Sequence, residues 1–183
     1  MTSAITKLRE TIYNPRTGQR THFVRTAAET DGEVLEIESV HPPGQPPEPE
    51  HTHPLQTSRI EVLSGTMWFR IDGVDRAVGP GEVVEIPPGI AHYFWNDSQA
   101  EARMRQEFRP ALGIEDFFRT YFALAQDNKL GASGLPSLLR LAVMMKAYDR
   151  EIRATTPPRA VQLVLMWALA PIGRVLGYRA TYP

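Results

Sequence analysis

The first 110 residues consist mainly of short runs of strand-forming residues separated by turn residues, and this pattern restricts the fold more than any other feature. Six runs are rich in β-branched and aromatic side chains and are bounded by turn residues: residues 19–26, 33–40, 58–63, 66–71, 82–86 and 101–108. Between them, Asp72-Gly73 favours a hairpin, Pro80-Gly81 favours a type II turn, and Pro87-Pro88-Gly89 ends a strand. Closely spaced short strands of this kind predict a β-sandwich or barrel.

After Pro110 the pattern changes from strands to helices. Apolar side chains recur at helical spacing, and the first such segment carries two acidic residues in its first turn, which suits the positive end of the helix dipole. Three helices are predicted, over residues 113–128, 136–153 and 158–177, the last of them kinked or split by Pro171. We therefore predict a β-barrel over residues 1–110 and a helical C-terminal extension over residues 111–183, packed on the barrel or at a dimer interface.

The third helix contains a strongly apolar run, VQLVLMWALAPIG, at residues 161–173, flanked by Arg159 and Arg174. Thirteen residues are too few to cross a bilayer, which takes about 20 predominantly apolar residues. We interpret the run as a helix buried against the barrel or against a second subunit. Contact of residues 159–179 with a membrane surface is the alternative.

Composition limits the chemistry and the partners. The chain has no cysteine, so disulfides and thiolates are excluded and any metal ligand must be histidine or carboxylate. The net charge is -1, and no dense stripe of Lys and Arg is present, which argues against nucleic acid as a partner. The N-terminal residues MTSAITKLRE lack the apolar core of a signal peptide, which predicts a cytoplasmic location.

Three of the five histidines lie in two segments that resemble binding-site strands. In HTHPLQTSRIEVLSG, residues 51–65, His51 and His53 alternate and so point to one side of a strand, where two imidazoles can share a metal ion. In GEVVEIPPGIAHYFWN, residues 81–96, a turn-strand-turn-strand unit can present His92 as a third imidazole. The other two histidines, interpreted as surface or structural residues, are His22 and His41.

These two segments resemble the two motifs of the cupin superfamily. The second motif, G-x5-P-x-G-x2-H-x3-N, matches at every fixed position: Gly81, Pro87, Gly89, His92 and Asn96. The first motif, G-x5-H-x-H-x(3,4)-E-x6-G, matches at its two histidines and at Gly65, but its first glycine is offset and its glutamate position holds Ser58. The similarity to small single-domain bacterial cupins extends into the helical tail. It implies an RmlC-like jelly-roll barrel, a double-stranded β-helix with a central pocket, followed here by about three α-helices.

The resemblance also implies a mononuclear metal site. In cupins with the full motif, the two histidines, the glutamate and the last histidine hold one divalent ion. Carried onto this sequence, the ligands are His51, His53 and His92, since Ser58 cannot replace a carboxylate. Three imidazoles suit Fe²⁺, which we prefer here, and also Zn²⁺, Ni²⁺ or Mn²⁺. No organic cofactor is predicted.

Without the carboxylate the site keeps a formal charge near +2, which favours an anionic, chelating substrate. Some cupin dioxygenases that act on thiols, diketones or hydroxylated aromatic acids resemble this three-histidine arrangement. We therefore predict a metal-dependent oxidoreductase of the dioxygenase type, with isomerase or cyclase chemistry also open. The alternative is a non-catalytic cupin that binds a small ligand and has lost its metal.

Three polar residues are candidates for the ligand pocket: Gln56, Ser58 and Gln106. If Ser58 keeps the inward direction of the family's glutamate, Ile60 and Val62 share its face of the strand. Gln106 shares a face with Met104 and Phe108 in the same way. No catalytic residue is predicted, and the resemblance together with the apolar tail implies a homodimer.

Overall fold

The structure, a computed structural model, describes residues 10–182 and contains two antiparallel β-sheets followed by three α-helices. The strands are β1 (Thr11–Tyr13), β2 (Arg20–Arg25), β3 (Leu35–His41), β4 (His51–Thr52), β5 (Thr57–Ser64), β6 (Met67–Ile71), β7 (Val74–Val78), β8 (Val83–Ile86), β9 (His92–Trp95), β10 (Ala102–Arg109) and β11 (Arg153–Ala154). The helices are α1 (Ile114–Gln126), α2 (Leu138–Ala147) and α3 (Arg159–Val175).

The two sheets pack face to face around one apolar core. Their strand orders are β1-β2-β3-β10-β5-β8 and β11-β4-β9-β6-β7. The core between them takes Ile60 and Met104 from the first sheet and Met67 and Phe69 from the second, all almost completely buried. Alternate residues of β5 and β10 face inward, as the period of a strand requires. The predicted jelly-roll barrel is confirmed.

All six predicted strands are present, as β2, β3, β5, β6, β8 and β10. The strands β4 and β9 carry His51 and His92, for which the two histidine segments also predict strands, whereas β1, β7 and β11 were not predicted. These three strands have between two and five residues, and four of the five residues of β7 are exposed. Short or fully exposed strands lack the alternation of apolar and polar side chains from which strands are predicted.

The hairpin between β6 and β7 has the turn that its sequence predicts. Asp72 and Gly73 have φ angles of 50° and 77°. Two consecutive residues in the left-handed region form a type I′ turn, whose twist matches that of the two strands it joins. The prediction of a hairpin at Asp72-Gly73 is confirmed.

A second apolar cluster joins one end of the barrel to α1. Leu35 of β3 and Phe108 of β10 are fully buried there against Ile114 and Leu124 of α1. Gln56 stabilises the same junction, because its Nε2 donates to the carbonyl oxygens of Pro110 and Ala111 at 2.9 Å each. The first helix is therefore part of the barrel's own core, and its predicted span is close to the observed one.

Helix α2 is shorter than predicted. The sequence predicts a helix over 136–153, whereas α2 ends at Ala147 and residues 153–154 form β11. This strand pairs with β4, with Ala154 opposite His51. The local helical pattern was overridden because the chain after α2 adds a strand to the second sheet.

Helix α3 differs from its prediction in two ways. It runs unbroken through Pro171 to Val175, so the helix is not split there, and the kink stays a prediction. It also packs on α2 rather than the barrel, through Met166, Ala170 and Gly173, and most of its other side chains are exposed. Within the chain, the barrel therefore does not cover α3, and burial against a second subunit stays a prediction. In the described part of the chain, no helix is long and apolar enough to cross a membrane.

His41 is a structural residue and not a surface one. Its side chain is fully buried, its Nδ1 donates to Oε1 of Gln45 at 2.8 Å, and its Nε2 accepts from the hydroxyl group of Ser39 at 2.8 Å. Its backbone carbonyl accepts from Nδ2 of Asn96 at 3.0 Å, which explains the structural role of that motif residue. Burial lowers the pKa of His41 from 6.5 to about 4.

We expect His41 to make the fold sensitive to acid. Because its pKa is lower in the folded state, the unfolded chain gains a proton first, and stability present above pH 6.5 is lost as the pH falls towards 4. At pH 5 the loss amounts to about 2 kcal/mol of unfolding free energy. Chemical unfolding at pH 7 and pH 5 should therefore show a smaller difference for His41→Gln than for the unmodified protein. An equal difference in both proteins would contradict this assignment.

Candidate metal centre

The three motif histidines meet on the second sheet. His51 lies in β4, His53 follows that strand directly, and His92 begins β9, where it pairs with His51 across the two strands. The ring centroids are 4.6 Å apart for His51 and His92, 5.1 Å for His51 and His53, and 5.2 Å for His53 and His92. One ring nitrogen from each lies within 4.8 Å of the other two. Two segments that are distant in sequence thus form one cluster.

Backbone carbonyl groups fix the orientation of all three imidazoles. The Nδ1 atoms of His51, His53 and His92 donate to the carbonyl oxygens of Pro49 at 2.9 Å, Glu151 at 2.7 Å and Ile90 at 2.9 Å. A carbonyl oxygen can only accept, so each Nδ1 carries the hydrogen and each Nε2 keeps its lone pair. Histidines that bind metals through Nε2 are held in this way by a partner on the other nitrogen.

The environment keeps the three rings uncharged. Burial lowers the pKa of His51 well below its usual value, and the neighbouring His53 and His92 lower it further. Burial and the proximity of His92 lower the pKa of His53 to about 3, and burial also lowers the pKa of His92. Neutral imidazole is the form that binds metal. The cluster is also nearly enclosed, since the side chain of His51 is 12% exposed and His53 and His92 are 3% and 1% exposed.

Ser58 and Gln106 are hydrogen-bonded partners inside the barrel. Both are buried, and Nε2 of Gln106 donates to Oγ of Ser58 at 2.8 Å. Ser58 lies opposite Phe108 in the pairing of β5 with β10. The Phe108 ring is edge-on to the His53 ring, with 5.1 Å between the ring centroids. Ser58 therefore faces the interior, and Ile60 and Val62 share its face.

Gln56, the third pocket candidate, is buried, but both hydrogens of its amide nitrogen are used at the junction of the barrel with α1. Its Oε1 is enclosed and has no hydrogen-bond partner in the structure. The amide nitrogen of Gln56 therefore has a structural role, and only its Oε1 is left to accept a hydrogen bond from a ligand.

Glu48 is a carboxyl group beside the cluster that sequence reasoning did not identify. Its Oε1 is enclosed, without a hydrogen-bond partner, 3.9 Å from Nδ1 of His51, although the whole side chain is 31% exposed. Burial raises the pKa of Glu48 to about 8. Because it lies on the Nδ1 side of His51, opposite the free Nε2, this carboxyl group does not replace the family's missing ligand.

The segment after α2 was also missed, and it holds the histidine strand in place. The carbonyl group of Glu151 binds His53, β11 pairs with β4, and the hydroxyl group of Thr155 donates to a carboxylate oxygen of Glu50 at 2.7 Å. The Glu151 side chain is buried, and its Oε1 accepts from the backbone N–H of Gly113 at the start of α1 at 3.1 Å. The C-terminal extension thus supplies part of the surroundings of the cluster.

Comparisons with known proteins agree with this architecture. The family model described as the Cupin domain matches residues 20–105. A predicted oxalate decarboxylase from Thermotoga maritima is similar in structure, with 19% identity, a TM-score of 0.50, and coverage of 56% of this chain and 91% of that chain. An RmlC-like cupin from Shewanella frigidimarina has the same identity and TM-score, with coverage of 62% and 93%. No protein with a curated description matches this sequence significantly.

The matched residues 20–105 include both histidine segments and most of the barrel. The two structural relatives share the fold at 19% identity, which is evidence for the fold and not for a reaction. The two complementary motif segments, the jelly-roll barrel and the family-model match together lead to one conclusion: residues 20–105 form a cupin domain.

Proposed function

We propose that this cupin is a metal-dependent enzyme that acts on a small, anionic, chelating substrate, and that its chemistry is of the dioxygenase type with Fe²⁺. The observation that carries the proposal is the set of three neutral imidazoles, each with Nδ1–H given to a backbone carbonyl and Nε2 left free. Three nitrogen donors suit Fe²⁺, Zn²⁺, Ni²⁺ or Mn²⁺ and leave further coordination positions open.

The donor set supports the proposed class of substrate. His51, His53 and His92 would hold the ion, and none of them carries a negative charge to offset it. When bound, such an ion supplies Lewis acidity and, in the case of Fe²⁺, the ability to exchange electrons with dioxygen. An anionic substrate with two donor atoms would balance the uncompensated charge. A carboxylate ligand from the protein would weaken that preference, and Ser58 stands where the family has it.

The protein's own groups would orient the substrate and exclude water. The Ser58 hydroxyl group accepts from Gln106, so its hydrogen remains available to a neighbouring acceptor. Phe108 provides an apolar wall beside His53. Because the three histidines are nearly enclosed, the site would admit small molecules only, and a low-polarity surrounding strengthens the charge interactions inside it.

The proposal is tested by metal analysis followed by oxygen-uptake measurements. Protein purified without a metal-affinity tag and loaded anaerobically with Fe²⁺ should bind about one ion per chain. Oxygen uptake should then require both the ion and a chelating anion; suitable probes are a β-diketone, a hydroxylated aromatic acid and a thiol carboxylate. Turnover of a probe without oxygen uptake would move the reaction to the isomerase or cyclase class. Failure to bind any of the four metals would contradict the metal site itself and favour a ligand-binding cupin.

A further inference from the structure

Helix α3 exposes an unusually large apolar surface. We define the α3 apolar surface as Val161, Val164, Trp167, Ile172, Val175 and Leu176. Val164 is 67% exposed, Trp167 is 68% exposed and Val175 is 87% exposed. Isolated exposed apolar side chains are common on proteins, but a continuous group of this size marks a contact with something outside the monomer.

The surface covers more than half of the circumference of the helix. The buried residues Met166, Ala170 and Gly173 are spaced by four and three positions, so they form a single narrow line towards α2. A Cβ atom on Gly173 would lie 2.8 Å from Cγ2 of Val143, which shows how closely the two helices approach. No charged residue lies between Arg159 and Arg174. The remaining sides of α3 are therefore almost wholly apolar.

The charged groups around this surface are mainly basic. The sequence has no Asp or Glu after Glu151, and the carboxylate at the start of α3, that of Asp149, is paired with Arg153 at 2.9 Å and with Arg159 at 2.7 Å. Arg174 and Arg179 are exposed and form no salt bridge among residues 10–182, and the ammonium group of Lys146 lies 3.7 Å from the centroid of the Trp167 ring. The rim of the α3 apolar surface is thus positively charged and carries an aromatic side chain that favours the boundary between water and lipid.

This charge distribution distinguishes between the partners that could cover the surface. In a symmetric antiparallel pair of α3 helices, the Arg174 end of one copy would lie beside the Arg159 end of the other, where the carboxylate of Asp149 is already paired with Arg153 and Arg159. An anionic membrane offers negative charge beside an apolar layer, which complements both parts. We propose that α3 docks the protein on an anionic membrane surface and lies in the plane of the headgroup boundary. Since the helix cannot cross the bilayer, the contact would be peripheral.

Vesicle flotation with the full chain tests this proposal. We expect the protein to float with vesicles of phosphatidylglycerol and phosphatidylcholine, and to bind vesicles of phosphatidylcholine alone or in 1 M salt more weakly by at least about tenfold. The variant Val164→Glu should lose binding by a similar factor, because it places a charge in the inserted face. The matched control is Val74→Glu on β7, where valine is 68% exposed on the barrel, and it should bind as the unmodified protein does.

Two results would overturn the proposal. One is equal flotation of Val164→Glu and Val74→Glu, which would show that the α3 apolar surface does not make the contact. The other is a dimer in light scattering that Val164→Glu dissociates and Val74→Glu does not, together with no flotation, which would assign the surface to a second copy. Circular dichroism of both variants verifies that each remains folded, so that either result can be interpreted.

Discussion

Replacing His92 with alanine is expected to lower the metal affinity of the protein by at least about a hundredfold. The ring of His92 lies beside both other histidines, at centroid distances of 4.6 and 5.2 Å, so its removal leaves two nitrogen donors on neighbouring positions. Two donors from one short segment bind a divalent ion weakly. Elemental analysis of untagged protein should show about one ion per chain before the substitution and less than about a tenth afterwards.

The matched control for this experiment is another histidine outside the cluster. His22 is only partly buried, and its Nδ1 is hydrogen-bonded to the Thr11 hydroxyl group at 3.1 Å. His22→Ala should keep the full metal content. Because His92 is almost completely buried, its removal also leaves a cavity, and His92→Gln serves as a second variant of more similar size. Unchanged metal content in both His92 variants would contradict the proposed centre.

The parts of the fold that the sequence predicted are those with a local signal. The six predicted strands show alternation or strong β-forming composition, and the turn at Asp72-Gly73 has a specific chemistry. The three histidines could be placed together only because the spacing of two motifs resembles a known family, since 40 residues lie between His51 in β4 and His92 in β9. Helix α3 shows the limit of hydropathy, which indicates that a segment avoids water but not what covers it.

The features that could not be predicted depend on contacts that leave no recognisable pattern of residue types in the sequence. The Glu151 carbonyl group orients His53, and any residue at this position would supply the same oxygen. The pairing of β11 with β4 involves two residues on each strand, which is too short for a pattern. Glu48 lies only three residues before His51, but the proline-rich segment that places its Oε1 3.9 Å from the ring has no periodicity from which its path could be predicted. The contacts of Glu151 and β11 are tertiary and appear only once the barrel has formed.

Introducing glutamate at Ser58 is expected to strengthen metal binding by about tenfold or more. Ser58 is fully buried, faces inward with Ile60 and Val62, and lies opposite Phe108, whose ring contacts His53. A carboxylate at this position would add an anionic oxygen donor and offset part of the ion's charge. Competition with a chelator of known affinity, carried out with Zn²⁺ on unmodified and variant protein, measures the change.

The charge and the size of the new side chain have separable effects. Either glutamate or glutamine at Ser58 must displace the hydrogen bond from Gln106 and crowd a packed interior, which should destabilise the metal-free protein by about 1–3 kcal/mol. Ser58→Gln therefore serves as the control of equal size without the charge. Addition of Zn²⁺ should raise the free energy of unfolding more for Ser58→Glu than for the unmodified protein, because the added carboxylate binds the ion. Ser58→Gln should show no such additional gain. Equal affinities in the two variants would mean that Ser58 does not face the ion, and that the three histidines bind it without help from this position.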